Sequence, residues 1–404
     1  MKKIDINISA AGFPSQFVSD SKKASDEFGL QIGQAIQYEW FKKDGSGCRY
    51  FSRWRDFNRL KLYARGEQGV GKYKNELAVD GDLSYLNLDW TPVPVLPKFV
   101  DIVVNGMQDR EFTPKAYAQD AMSQSKRSKY QQMIEGQMVA KPLLEVIQKK
   151  TGVNPFTMEP DDLPASDEEL KLYMQLNYKP AIEIAEEEAI STIFESNKYD
   201  DIRKQLDYDL TVLGMSVAKH EFLQGDGVKL KYVDPANVVF SYTEDPHFKD
   251  CFYWGEVKNV PITELVKIDP SLDNEDLEEI SNYAQGWYDY YNVSQYYQND
   301  IFFKDTATLM YFNYKTTKKV VYKRKVKENG NVNMIEKDDT FNPPVEMQEE
   351  GNYTKESKTI DVWFEGVMVM GTNIILKWEL MENMVRPQSA SQYAIPNYVA
   401  VAPR

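Results

Sequence analysis

The sequence predicts an α+β protein in which a mainly helical part precedes a strand-rich part. Apolar residues recur at helical spacing in several stretches between residues 50 and 213. The period changes to two immediately after Gly214, and residues 305–381 are rich in β-branched and aromatic side chains. Because the two patterns occupy separate stretches instead of alternating, they favour an α+β fold over a repeated βαβ fold.

The helical part is expected to begin after a polar arm. Residues 1–45 show no clear hydrophobic period, which predicts an extended or partly ordered segment. From Tyr50, apolar residues recur at helical spacing with basic residues between them, and this pattern predicts a basic amphipathic helix. The helix should end near Gly66, since glycine often lies just beyond a helix C-terminus.

The same spacing predicts further helices. Three prolines between residues 92 and 97 exclude a helix before Lys98, after which a short helix is expected as far as Met107. Gly214 should end the last helix of this part. The other helical patterns cover residues 123–150, 167–198 and 202–213.

A β-hairpin is predicted where the period changes, with residues 215–222 and 228–233 alternating around the turn at 224–227. A short helical stretch follows at 269–283. Residues 328–358 contain glycines, prolines and many charges, and are predicted to form a mobile loop. Strands are predicted on both sides of that loop, over residues 305–327, 359–370 and 373–381.

Composition limits the classes of function. The 404 residues include 48 basic and 62 acidic side chains, and the net charge of −14 argues against a surface that envelops nucleic acid. Two cysteines and two histidines leave little material for a disulfide framework, a metal centre or a catalytic triad. No apolar run approaches the ~18 residues of a membrane span. We therefore expect no catalytic residue, cofactor, metal or membrane partner.

One short motif suggests an enzyme when it is considered alone. Residues 65–73 read RGEQGVGKY, and Gly66 to Lys72 match G-x-x-x-x-G-K, the pattern of a phosphate-binding loop. Such a loop follows a buried strand and continues with a Ser or Thr, whereas here a charged helix precedes it and Tyr73 follows. The sequence favours a glycine-rich turn after a helix, with a P-loop NTPase as the lesser alternative.

Two groups of basic residues stand out in this acidic chain. They are candidate DNA- or partner-facing residues, because such groups can contact phosphate or an acidic face of a neighbouring copy. A solvated surface is the other interpretation. The groups are Arg53, Arg55 and Arg59 in the first helix, and Lys318, Lys319, Lys323, Arg324 and Lys325 in the strand-rich part.

Three stretches are similar, in order, to segments of one protein family. They are YARGEQ at 63–68, LPKFVDIVVNGMQDREFTP at 96–114, and a helix, hairpin, V-D-P and D-P sequence within 197–270. Together they resemble the portal proteins of short-tailed bacteriophages, and the tyrosine-rich, acidic composition is similar to portals of crAss-like phages. The residues that carry the likeness are Gly66, Gln68, Asn105, Gly106, Gln108, Arg110, Asp234, Pro235, Asp245 and Pro246.

The resemblance implies a structural protein and not an enzyme. It implies a dodecameric ring at one capsid vertex, with a channel for genome packaging and ejection and an attachment point for the tail. The implied partners are other copies of the chain, the major capsid protein, neck and tail adaptor proteins, terminase transiently, and double-stranded DNA without sequence specificity. Assembly would take place in the host cytoplasm and the protein would reside in the virion. Another tail adaptor or a cytoplasmic scaffold is the alternative.

The resemblance also implies a domain organisation. Residues 1–45 would be an arm, 46–300 a wing region with helices and hairpins, and 301–385 a clip or neck-facing region that contains the mobile loop. Residues 386–404 look like the approach to a long stem helix. The sequence is therefore expected to be part of a longer protein.

Overall fold

Two long antiparallel strands, Thr306–Val326 and Tyr353–Val369, form the centre of a six-stranded sheet. The chain divides into two compact units, one made of Met1–Asp109 with Asp201–Arg404 and the other of Arg110–Asp200. The computed structural model describes residues 12–42, 48–67, 69–71, 74, 76, 89, 91, 93–110, 112–118, 120–152, 163–176, 178, 180–278, 280–281, 306–326, 332–338, 341–342, 353–386 and 391–403.

The described elements mix helix and sheet, consistent with the α+β expectation. The helices are α1 (Asp20–Lys23), α2 (Asp26–Phe41), α3 (Arg49–Ala64), α4 (Leu96–Gln108), α5 (Ala121–Thr151), α6 (Asp167–Leu176), α7 (Ala181–Ser196), α8 (Tyr199–Leu213) and α9 (Ile262–Ile268). The strands are β1 (Ser216–Leu223), β2 (Gly227–Val233), β3 (Val238–Phe240), β4 (Tyr253–Pro261), β5 (Thr306–Val326), β6 (Val332–Lys337), β7 (Tyr353–Val369), β8 (Ile375–Leu380) and β9 (Tyr398–Val401).

The large sheet is antiparallel, with the strand order β3-β4-β5-β7-β8 and with β6 paired to β5. Strand β4 pairs with β5 from Tyr253 opposite Tyr314 to Pro261 opposite Thr306. This sheet therefore spans the predicted division between residues 300 and 301, with β4 before it and β5 after it. The predicted loop at 328–358 is wrong in part, since it includes β6 and the first residues of β7.

A smaller sheet contains the predicted hairpin, and its strand order is β2-β1-β9. The hairpin is confirmed, with Gly225 and Gly227 at positive φ in its turn. Strand β9 adds to β1, placing Tyr398 opposite Lys219. Residues 386–404 were expected to lead toward a stem helix, and within them residues 398–401 form a strand whose alternate side chains Tyr398 and Ala400 are buried. The stem helix itself stays a prediction.

The expected N-terminal arm is wrong for residues 20–41, which form α1 and α2. Helix α2 packs on the large sheet and buries apolar residues on several sides, so no clean amphipathic period marks it. Gly29 and Gly33 lower its helix propensity, but they allow close packing. A Cβ at position 29 would lie 2.4 Å from the ring of Trp378, which fixes how closely this helix approaches β8.

The predicted end of the first helix at Gly66 is confirmed. Gly66 has φ +81°, and its N–H donates to the Tyr63 carbonyl at 2.9 Å, while the Glu67 N–H donates to the Leu62 carbonyl at 2.9 Å. This pair of hydrogen bonds is the Schellman arrangement that ends helices at glycine. Helix α3, and not a strand, precedes the phosphate-loop match, whose Lys72 lies outside the described residues.

The second unit is helical. Ile134 on α5 packs with Leu170 and Met174 on α6 and with Leu163. The single helix predicted over 167–198 is instead two helices, because Pro180 cannot donate a backbone hydrogen bond and restricts the residue before it. The buried carboxylate of Glu183 on α7 accepts from the Ala118 N–H at 2.9 Å, which fixes the extended segment before α5.

Candidate nucleic-acid interface

The C-terminal end of β5 and the N-terminal end of β7, together with β6, form a three-stranded antiparallel ribbon. Its ladder runs from Lys318 opposite Ile360 to Lys325 opposite Tyr353, and β6 pairs on the other side of β5. Every residue of β6 is exposed. We call this part the ribbon, and it comprises residues 318–325, 332–337 and 353–360.

The strand register separates the basic side chains of the ribbon onto two faces. Residues directly opposite one another in a ladder point to the same face, and successive residues point to opposite faces. One face, which we call the lysine face, carries basic residues and no carboxylate among its described positions. Its members are Lys319, Lys323 and Lys325 on β5, Lys337 on β6 and Lys355 on β7.

The other face of the ribbon has a mixed charge. It carries Lys318, Arg324 and Lys358 together with Glu336 and Glu356, by the same register. Arg324 donates from Nη1 to Glu356 Oε1 at 3.0 Å. The predicted cluster at 318–325 is therefore divided, since Lys318 and Arg324 belong to a face where carboxylates offset much of the positive charge.

The lysine face concentrates repulsion within the protein. Lys323 lies directly opposite Lys355, and like charges in that position destabilise a sheet. Lys355 Nζ also donates to Asn342 Oδ1 at 2.8 Å. Lys319 and Lys325 are exposed, and the strand between them spans ~20 Å, over which one DNA strand presents ~6 phosphates. Val321, on the same face between them, is buried and Lys323 is partly buried, so the exposed ammonium groups can contact a polyanion at the two ends of this span.

Sequence reasoning missed Lys337 and Lys355 on this face. Each is isolated among polar and acidic residues in the sequence, and only the pairing with β5 brings them beside Lys323. A period-two pattern in VNMIEK and YTKESK would have been the available signal, but glycines, prolines and charges around these segments predicted a loop instead.

The expectation for Arg53 on α3 is wrong, because its guanidinium lies against the interior. Its centre is 4.7 Å from the Trp40 ring and 5.2 Å from the Phe240 ring, and Nη2 donates to the Pro235 carbonyl at 3.1 Å. Burial lowers the pKa of this guanidinium to about 10. Arg55 and Arg59 are exposed, but Arg59 pairs with Asp56 at 3.4 Å.

The V-D-P segment forms the turn on which α3 packs. Asp234 caps a short 3-10 turn by accepting from the Ala236 N–H at 2.9 Å, and it pairs with Lys61 at 2.7 Å. Tyr50 donates to Asn237 Oδ1 at 3.2 Å. The structure thus joins the helix that ends at Gly66 to the Asp234-Pro235 motif, two of the three stretches that carry the resemblance.

The remaining motif residues have local roles or lie apart. Asp245 accepts from the His247 N–H at 2.9 Å, and the Pro246 carbonyl accepts from the Ala402 N–H at 2.9 Å. Asn105, Gly106 and Gln108 lie in the last turns of α4, with Arg110 just beyond it. Gln68 lies outside the described residues.

The described part of the chain offers neither a metal site nor a membrane-spanning helix. It contains no group of three or more His, Cys, Asp or Glu side chains that could hold a metal ion. No helix within it is long and apolar enough to cross a membrane. No protein-family model matches the chain, and comparison with curated proteins finds no match either.

Proposed function

We propose that this chain is a structural subunit of a tailed-bacteriophage portal, a dodecameric ring through which the genome is packaged and ejected. The sequence resemblance supports this assignment at three stretches. The helix that runs into the first stretch contacts the third stretch through the Lys61–Asp234 ion pair. In this proposal, a separate terminase supplies the energy of packaging, and the chain itself has no catalytic role.

The observation that carries a DNA-contacting role is the lysine face of the ribbon. The chain as a whole has a net charge of −14, which opposes general adhesion of DNA to its surface. Five lysines on one face of the ribbon offer a local exception. A duplex would then touch the ring at limited places and would be repelled elsewhere, which suits a polymer that must be held and yet slide.

Electron microscopy of the full-length protein tests the ring. We expect twelvefold rings with an axial channel, and density for the ribbon on the channel side or at a channel mouth. Monomers at high concentration would contradict the portal assignment, and open or stacked assemblies without a channel would favour a tail adaptor or a scaffold. ATP hydrolysis that is abolished by Lys72→Ala would instead support the P-loop NTPase alternative.

A further inference from the structure

Strand β6 has one edge that is unpaired within the described part of the chain. Its residues pair with β5, and no other described strand pairs with them. In an antiparallel sheet, every second residue of such a strand directs its N–H and its carbonyl away from the existing partner. The outer edge of β6 therefore offers ladder hydrogen bonds to another extended chain.

Strand β6 has few of the features by which proteins protect an edge strand. Prolines, bulges and charged side chains usually prevent the addition of a further strand. The register of β6 with β5 is continuous, the strand contains no proline, and its only charges are Glu336 and Lys337 at one end. Val332, Met334 and Ile335 are between 43% and 53% exposed. A strand added at this edge would cover part of that apolar surface.

The two faces of this edge favour different side chains. Ile335 and Lys337 belong to the lysine face, where Lys323 lies directly opposite Ile335. Because strands lie ~4.8 Å apart, an added strand would contact Lys337 directly and would lie ~10 Å from Lys323, about one Debye length at ~0.1 M salt. Met334 and Glu336 lie on the mixed face. Acidic side chains are therefore favoured on the lysine face, and uncharged ones on the other.

A second copy of the chain does not meet this requirement through its own β6. Antiparallel pairing of two identical edge strands requires a twofold axis normal to the sheet. Both copies then present the same face on the same side, so their lysine faces would lie side by side. Like charges on adjacent strands are destabilising. The charge of this edge favours an acidic partner instead.

We propose that the outer edge of β6 binds an extended segment of a partner protein in which acidic residues alternate with uncharged ones, and that the segment adds to the sheet as a strand. Its carboxylates lie on the lysine face, and its uncharged side chains lie beside Val332 and Met334. Backbone hydrogen bonds supply affinity and the alternation supplies specificity. This inference does not depend on the portal assignment, since the segment occupies an edge and the proposed DNA contact lies across a face.

Fluorescence anisotropy of labelled peptides with the full-length protein tests this inference. We expect saturable binding of acetyl-EVETEVE-amide. Binding of acetyl-EEVTVEE-amide should be at least ~10-fold weaker, because this peptide has the same composition and charge but divides its carboxylates between the two faces. Equal binding of the two peptides would overturn the proposal, and so would no binding of the alternating peptide. Dissociation of the assembled protein by the peptide would assign the edge to a second copy and would also overturn it.

Modified backbones separate strand addition from simple attraction to the lysines. N-methylation of every second amide blocks hydrogen bonds along one edge of the peptide. Of the two N-methylated versions of the alternating peptide, one should lose binding and the other should retain it, because only one edge of the peptide pairs with β6. Retention of binding by both versions would contradict the addition of a strand.

A pair of variants tests the role of charge at the edge. Lys337→Glu should weaken binding of the alternating peptide ~10-fold, because it places a carboxylate beside those of the ligand. Lys358→Glu makes the same change in charge on the mixed face of β7, away from this edge, and is the matched control. Thermal unfolding without peptide shows that each variant folds. Equal weakening by the two variants would show that net charge governs binding and would contradict the proposed position of the carboxylates.

Discussion

Lys323 on β5 lies directly opposite Lys355 on β7, on a face of the ribbon that carries three further lysines and no carboxylate among its described positions. The repulsion between these two ammonium groups opposes folding, and nothing in the ladder itself requires it. An anionic partner that lies across the strands would attract both ammonium groups, so the same pair of lysines would then stabilise the complex. The relationship therefore connects the register of two strands to the proposed contact with DNA.

The first prediction compares the two faces of the ribbon. The triple variant Lys319→Gln, Lys323→Gln, Lys325→Gln should reduce the salt dependence of duplex binding by about two to three counterions, with weaker binding at low salt. The control Lys318→Gln, Arg324→Gln, Lys358→Gln removes the same charge from the mixed face. Fluorescence anisotropy against salt concentration measures both. Equal effects of the two triples would show that net charge, and not the lysine face, governs binding.

The second prediction concerns the repulsion itself. Lys355→Glu places an opposite charge across from Lys323, and should stabilise the protein by ~0.5 kcal/mol at low ionic strength while it weakens DNA binding. Thermal unfolding at low and high salt measures the first effect, which should shrink as salt rises. A Tm that falls in low salt would show that the Lys355 contact with Asn342 outweighs the repulsion.

The third prediction follows from the position of Arg53. Arg53→Gln removes contacts with Trp40 and Phe240 and should lower the free energy of unfolding by ~2 kcal/mol without a change in the salt slope of DNA binding. Arg55→Gln, on the exposed side of the same helix, should have little effect on stability. Urea denaturation and the anisotropy titration separate the two roles. If Arg53→Gln reduces the salt dependence of DNA binding, Arg53 contacts DNA and the structural role is contradicted.

The fourth prediction is a dependence on pH. Burial raises the pKa of Asp209 to about 6 from 3.8, although Tyr232 donates a hydrogen bond to its carboxylate. The folded state then binds more protons than the unfolded state between these values, so the contribution of Asp209 to stability falls as pH rises through that window. Asp209→Asn should remove this dependence, which amounts to ~3 kcal/mol of unfolding free energy from well below pH 4 to well above pH 6.

Chemical denaturation of the parent and of Asp209→Asn at several pH values gives two unfolding free energies at each pH. Their difference reports the contribution of Asp209, because the other titrating groups affect both proteins equally. The variant should gain stability relative to the parent as pH rises from 4 to 6 and should show a constant difference above pH 7. Parallel curves for the two proteins would exclude a raised pKa at Asp209.

The fifth prediction concerns the buried pair Lys219 and Glu221. Glu221→Gln leaves an ammonium group with 10% of its side chain exposed next to a neutral partner, and should destabilise the protein by ~3 kcal/mol. The double variant Lys219→Met, Glu221→Gln should recover much of that loss, because no buried charge then remains uncompensated. Denaturation midpoints of both variants provide the measurement, and an unrecovered loss would assign the effect to packing.

Local signals in the sequence predicted the elements that local chemistry determines. The hairpin around Gly225 and Gly227 and the end of α3 at Gly66 depend on residues that must adopt positive φ, and both were predicted. Helix α2 was missed because its stability comes from burial against β8, which lies far away in the sequence. Strand β9 was missed for the same reason, since its partner is β1.

The candidate interface was predicted only in outline. Its β5 lysines form a visible run in the sequence, but the division of that run between two faces depends on the register with β6 and β7. Arg53 illustrates the opposite error. Its position among basic residues of an amphipathic helix suggested an outward direction, whereas the aromatic rings of Trp40 and Phe240 hold the guanidinium against the interior.

The addition of β9 to the hairpin has a consequence for the order of folding during synthesis. The ribosome releases β1 and β2 long before Tyr398, and a two-stranded hairpin alone is marginal in water. Helix α2 likewise lacks the packing partner of Gly29 until the ribosome has released Trp378. Apolar surface therefore remains uncovered until the last strands emerge, and slower translation or chaperone supply should raise the yield of folded chain.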